Sequence, residues 1–162
     1  MSTLVVQIPE RQRLSARGGA APESSGLGTE YAYVSTSDGL TMTGQGECGA
    51  ALLPKAATVV ALGATELDMV IDLGAIADGD FVAAAADVAE VRAAAPSVVL
   101  KVILESALWS PAVLRQATEL AVAAGADFVK TSTGFHPSGG ASVEAVSIMV
   151  SASGGRAKVK AS

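Results

Sequence analysis

The hydrophobic pattern of this chain changes character near residue 60. From there onward, short apolar runs alternate with stretches in which apolar residues recur at helical spacing. The runs at 66–73 (ELDMVIDL), 98–104 (VVLKVIL), 127–132 (DFVKTS) and 157–161 (AKVKA) predict four strands. Between them, Phe81, Ala84, Ala85, Val88 and Val91 recur at i, i+3, i+4 and i+7 spacing and predict a helix. Ser110 reads as the N-cap of a second helix, with Pro111 at its first position. Leu114, Ala117, Leu120, Ala121 and Ala124 line one face of it, and Gly125 closes it. Val143, Val146 and Met149 predict a shorter third helix. Asp68, Lys101, Lys130 and Lys160 mark corresponding points in the four strands, 33, 29 and 30 residues apart. A constant strand–helix period means a parallel α/β sheet. A (β/α)8 barrel of about 250 residues uses roughly 31 residues per unit. The expected architecture is α/β, a partial TIM (β/α)8 barrel of about four βα units.

Upstream, no such period exists. Residues 11–30 are rich in Gly, Ser, Arg and Pro and read as a loop or disordered linker. Two strand-like pieces follow, Tyr31 to Val34 and Leu40 to Thr43, and the Ser37-Asp38-Gly39 step between them predicts a β-hairpin. The chain is therefore read as an irregular, partly disordered segment with a β-hairpin over 1–60, followed by the partial barrel over 61–162.

Composition narrows the function classes. Half the residues are hydrophobic but only 4% are aromatic, which suits helices packed on buried strands and argues against disorder over most of the length. Eleven Lys+Arg against sixteen Asp+Glu leave a net charge of −5, so no basic nucleic-acid surface is expected. Cys48 is the only cysteine, which excludes an intramolecular disulfide and a cysteine zinc site; it reads as an unreactive thiol. The N-terminus lacks the pattern of a secretory signal. No charge-free apolar run reaches the roughly 18 residues that a membrane helix needs. The expected location is the cytoplasm, without a membrane partner.

The candidate chemistry lies on one face of the strands. The parity of Leu67, Met69 and Ile71, and that of Leu100, Val102 and Leu104, is wholly apolar. The opposite parity carries Asp68 and Asp72, Lys101, Lys130 with Ser132, and Lys158 with Lys160, and it is expected to point into the barrel. An unpaired buried charge costs several kcal/mol or shifts its pKa. One such lysine is readily a snorkelling residue, but the repeat over several strands favours a site. A lysine becomes a nucleophile when its pKa falls, and a like charge such as Lys160 together with partial desolvation lowers it. Asp68 is then placed to relay protons. The set suits Schiff-base chemistry on a carbonyl. Lys101 reads equally as a site lysine or a supporting salt bridge, and Asp72 as structural. The TSTG turn after Lys130 offers N–H groups and hydroxyls to an anion such as a phosphate, or is an ordinary tight turn. His136, the only histidine, reads as an exposed loop residue with no metal-ligand spacing.

GATELDMVIDLGA (63–75), LKVILESALW (100–109), ADFVKTSTGFHPSGGASVEAV (126–146) and GGRAKVKAS (154–162) together resemble deoxyribose-phosphate aldolase. That resemblance implies reversible cleavage of 2-deoxy-D-ribose 5-phosphate to glyceraldehyde 3-phosphate and acetaldehyde on a TIM barrel, without a metal or cofactor. It implies Lys130 as the Schiff-base lysine, Asp68 and Lys160 as the proton-transfer pair, and Lys101 and Gly134 as substrate-binding residues. The resemblance covers strands four to seven of eight. An open half-barrel exposes two sheet edges, so instability or self-association and an impaired reaction are expected. STLVVQIP, EYAYVSTSDGLTMTGQG and ALLPKAATVVA are similar to the N-terminus of the cytoplasmic domain of the type II secretion protein L family. This implies an alternative, a non-catalytic chimera or an interaction fragment of the secretion machinery.

Overall fold

The computed structural model describes residues 3–8, 31–36, 39–45, 56–57, 60, 65–134 and 136–162, the first three segments as backbone strands. Seven strands form one sheet: β1 (Thr3–Ile8), β2 (Tyr31–Thr36), β3 (Gly39–Gln45), β4 (Glu66–Val70), β5 (Val99–Ile103), β6 (Phe128–Lys130) and β7 (Lys158–Lys160). Their order is β2-β3-β1-β4-β5-β6-β7. The helices are α1 (Leu73–Ala77), α2 (Phe81–Ala94), α3 (Pro111–Ala123) and α4 (Val143–Ser153), with a 3₁₀ turn at Ser106–Leu108. β4 to β7 are parallel, each joined to the next by a helical crossover. They form three successive βα units and a fourth parallel strand, a partial barrel as expected.

β2 and β3 pair antiparallel. β1 pairs antiparallel with both β3 and β4, with Val5 opposite Asp68. The sequence reading expected β4 to present an open edge. It does not, because the backbone groups on that side of β4 are taken up by β1.

Local signals start and stop the helices. Asp80 Oδ1 accepts from Ala83 N–H at 3.0 Å, Ser110 Oγ from Val113 N–H at 3.4 Å, and Ser142 Oγ from Ala145 N–H at 3.0 Å. The first expected strand ends earlier than its apolar run, because Asp72 turns to cap α1, accepting from Ala75 N–H at 3.0 Å. Asp72 is thus a structural cap. On α4 the buried residues are Ala145, Met149, Ala152 and Ser153, while Val143 is exposed. The face expected through Val143 and Val146 is rotated: Val143, at the helix start, is exposed, and Val146 is only half-buried.

Leu67, Met69, Ile71, Leu100, Val102, Leu104 and Val129 pack against Ala84, Val88, Val91, Leu114, Ala117, Ala121 and Met149. This core lies between the sheet and its helices. It leaves the opposite parity of the strands for the site. At the amino ends of the strands, Arg92 Nη1 binds Asp127 Oδ2 at 2.9 Å, and Arg92 Nη2 donates to the carbonyls of Ala95 and, at 2.7 Å, Val98. Asp127 Oδ2 also accepts from Leu100 N–H at 2.8 Å. This clamp joins the end of α2 to β5 and β6. Among the described residues, no helix is long and apolar enough to cross a membrane.

Candidate active site

Strand register arranges the site in rows. Asp68 lies opposite Lys101, Lys101 opposite Phe128, and Phe128 opposite Lys158. Two residues further along, Val70, Ile103, Lys130 and Lys160 form the next row. Side chains alternate along a strand, so both rows share the face turned away from the apolar core.

On that face, charges alternate in a chain. Glu66 Oε2 accepts from Lys101 Nζ; Lys101 Nζ also lies 3.4 Å from Asp68 Oδ1; Asp68 Oδ2 lies 3.4 Å from Lys130 Nζ. The side chains of Lys101, Asp68 and Lys130 are 7%, 14% and 14% exposed, against 38% for Glu66. Burial pushes the Lys101 ammonium toward neutrality. The hydrogen bond to Glu66 and the charges of Asp68 and Glu66 outweigh it, so the Lys101 pKa is raised.

The structure therefore brings together Lys130, Asp68 and Lys101. Lys160 lies on the same face, in register beside Lys130, but its side chain is exposed. β7 is the last strand of the sheet among the described residues, so no neighbouring strand covers it. Lys158, expected to point inward, is likewise exposed, with its Nζ 5.4 Å from the centre of the Phe128 ring.

The turn after Lys130 uses its donors internally. Thr131 Oγ1 and Ser132 Oγ donate to the Ser162 carbonyl at 3.0 and 2.8 Å, and Thr131 Oγ1 accepts from Ser162 N–H at 2.9 Å. Gly134, at φ 81°, donates its N–H to Ser132 Oγ at 3.2 Å. Thr133 N–H points to both oxygens of Glu105, at 3.2 and 3.4 Å. In this arrangement the turn ties β6 to its neighbours, and an anion bound there has to compete for the same donors. His136 is exposed, and its Nδ1 accepts from Ser138 N–H at 3.2 Å, as befits a loop residue.

Sequence reasoning missed Glu66 and Glu105. The signal for Glu66 was present, since it shares the parity of Asp68 two positions earlier. Glu105 gave no signal: it is 1% exposed and left-handed at φ 50°, and only the tertiary structure places its carboxylate under the turn. Among the described residues, no group of three or more His, Cys, Asp or Glu is arranged to hold a metal ion.

A half-buried lysine beside a carboxylate, on the inner face of a parallel βα sheet, is an arrangement suited to imine formation with proton transfer at its side. The profile of the DeoC/LacD family aldolases matches residues 20–159. The chain belongs to the DeoC/LacD aldolase family. It is 57% identical over 112 residues to the deoxyribose-phosphate aldolase of Mycobacterium avium (strain 104), covering 67% of this chain and 50% of that protein. It is 57% identical over 109 residues to the deoxyribose-phosphate aldolase of Kocuria rhizophila, with the same two coverages. Among solved structures, an aldolase named QR15 superposes with a TM-score of 0.64 at 38% identity, covering 67% of this chain and 49% of that one. A putative deoxyribose-phosphate aldolase from Coccidioides immitis gives 0.65 at 37% identity, covering 67% and 44%. The chain spans about half the length of the curated relatives it matches. In this family member the four parallel strands and their helices are part of the family's TIM barrel.

Proposed function

We propose that this chain carries class I aldolase chemistry, the reversible retro-aldol cleavage of 2-deoxy-D-ribose 5-phosphate to glyceraldehyde 3-phosphate and acetaldehyde. The observation that carries this reading is the contact between Lys130 Nζ and Asp68 Oδ2 at 3.4 Å, on the inner face of the sheet. The Lys130 amine attacks the aldehyde carbon of the open-chain sugar, and loss of water gives an imine. The carbon–carbon bond then breaks with its electron pair drawn toward the iminium nitrogen, while the hydroxyl proton of the leaving aldehyde passes to a base. Protonation of the resulting enamine and hydrolysis release acetaldehyde and restore the amine.

Asp68 is the nearest group to hold and return that proton, with Lys160 completing the transfer from its exposed position. Lys101 supplies a fixed positive charge beside the imine. The turn at Gly134 receives the phosphate once its internal donors exchange partners. This reading takes the ligand to be a small phosphorylated sugar or aldehyde in the cytoplasm, with neither nucleic acid nor membrane as partner. The uncovered edge of β7 is the place for self-association; a monodisperse monomer on size exclusion would count against that edge being sticky.

The test is borohydride trapping with acetaldehyde or deoxyribose 5-phosphate. A covalent adduct mapped to Lys130 and lost in Lys130→Ala supports the proposal. No adduct on the wild-type chain at millimolar substrate sinks it.

A further inference from the structure

Two lysines, not one, are candidates for the nucleophile on this face, and Asp68 does not distinguish them. Its Oδ1 lies 3.4 Å from Lys101 Nζ and its Oδ2 lies 3.4 Å from Lys130 Nζ. Burial alone favours the wrong one. The Lys101 side chain is 7% exposed against 14% for Lys130, so desolvation presses harder on the Lys101 ammonium. What breaks the tie is a carboxylate that touches only Lys101, that of Glu66.

We propose that Glu66 is a positioning residue that selects the nucleophile, pinning Lys101 as an ammonium and leaving one oxygen of Asp68 for Lys130. The inference rests on the aldolase reading only in taking Lys130 as the nucleophile. Desolvation is the largest influence on Lys101 and acts to lower its pKa, yet its pKa is raised; the hydrogen bond to Glu66 is the largest opposing influence. The other groups around Lys101 do not take over this role. β4 supplies Glu66 and Asp68. β6 supplies Phe128 in register and Lys130 in the next row. β7 supplies Lys158, over the Phe128 ring, and the exposed Lys160. β1, on the far side of β4, has no ionisable residue between Thr3 and Ile8. Glu66 is thus the one carboxylate in this set that is not shared between the lysines.

The test uses reductive methylation with formaldehyde and cyanoborohydride, which reads the free-amine fraction of each lysine without needing substrate recognition. Labelling is mapped by mass spectrometry in the wild-type chain, in Glu66→Gln, and in Glu119→Gln, an exposed residue of α3, as a control. In the wild type, Lys130 is labelled ahead of Lys101. In Glu66→Gln the Lys101 to Lys130 labelling ratio rises, and Glu66→Asp restores part of the difference. An unchanged ratio in a folded Glu66→Gln overturns the proposal. If Glu66→Gln unfolds, ¹⁵N NMR titration of the wild-type Lys101 side chain decides instead: Lys101 must titrate above an ordinary lysine, and titration at or below that value overturns the proposal. A wild-type chain that forms no acetaldehyde adduct removes the aldolase reading but leaves the labelling ratio and the Lys101 titration readable.

Discussion

Lys130 Nζ reaches across β5 to lie 3.4 Å from Asp68 Oδ2, although the two residues are 62 positions apart and their strands are not neighbours. The contact exists because Lys130 stands one row beyond Lys101 on the same face, so its side chain leans back over the intervening strand.

This geometry separates imine formation from turnover. Lys130→Ala is expected to abolish borohydride-trapped adduct. Asp68→Asn keeps the amine and is expected to retain trapping while lowering turnover by about 10²–10⁴-fold, the usual worth of a positioned acid–base group. Trapping and steady-state cleavage, measured on the same preparation, check the split. Equal loss of both in Asp68→Asn would assign Asp68 to shaping the site rather than to moving protons.

The raised pKa of Lys101 makes a statement about stability. A lysine whose pKa is higher folded than unfolded stabilises the fold fully below its unfolded value, and that contribution is lost as pH rises through the folded value. Thermal melts are therefore expected to hold this contribution at neutral pH and lose it in strongly alkaline solution. In Glu66→Gln the contribution should be smaller, and its loss complete at lower pH. Identical alkaline limbs for the two proteins would contradict the assigned cause.

The clamp at the amino ends of the strands should matter for folding, not chemistry. Asp127→Ala removes the acceptor of Leu100 N–H, and an unsatisfied buried donor costs about 1–3 kcal/mol. The ion pair with Arg92 adds little, because the Asp127 side chain is 49% exposed. Gly125→Ala is expected to destabilise by about 1–3 kcal/mol, since φ is 104° and the new Cβ would lie 2.8 Å from Arg92 Cγ. Urea unfolding measures both, and a change below a few tenths of a kcal/mol for either would show that the clamp yields.

Glu105 combines a left-handed backbone with a buried carboxylate that accepts from Thr133 N–H. Glu105→Ala loses the acceptor and keeps the strain, whereas Glu105→Gly loses the acceptor and relieves it. Glu105→Gly should be the more stable by about 1–2 kcal/mol, and both should speed hydrogen exchange at Thr133. Unchanged exchange at that amide would remove Glu105 from the support of the turn.

Part of this molecule is legible from its residues alone. The 33-, 29- and 30-residue spacing of Asp68, Lys101, Lys130 and Lys160 announces βα units, because a strand, a crossover helix and two short loops need about that much chain. Period-two alternation assigns those residues to one face, and Ser110 with Pro111 marks a helix start, because these are properties of a few adjacent residues. Register and edges are not local in this way. Alternation says which face a lysine takes but not which row, so the reach of Lys130 over β5 to Asp68 waited on strand pairing. The exposure of Lys160, the antiparallel docking of β1 on β4, the hold of Glu66 on Lys101 and the left-handed turn at Glu105 depend on contacts between distant segments. No window of sequence contains both partners of such contacts, so only the folded chain decides them.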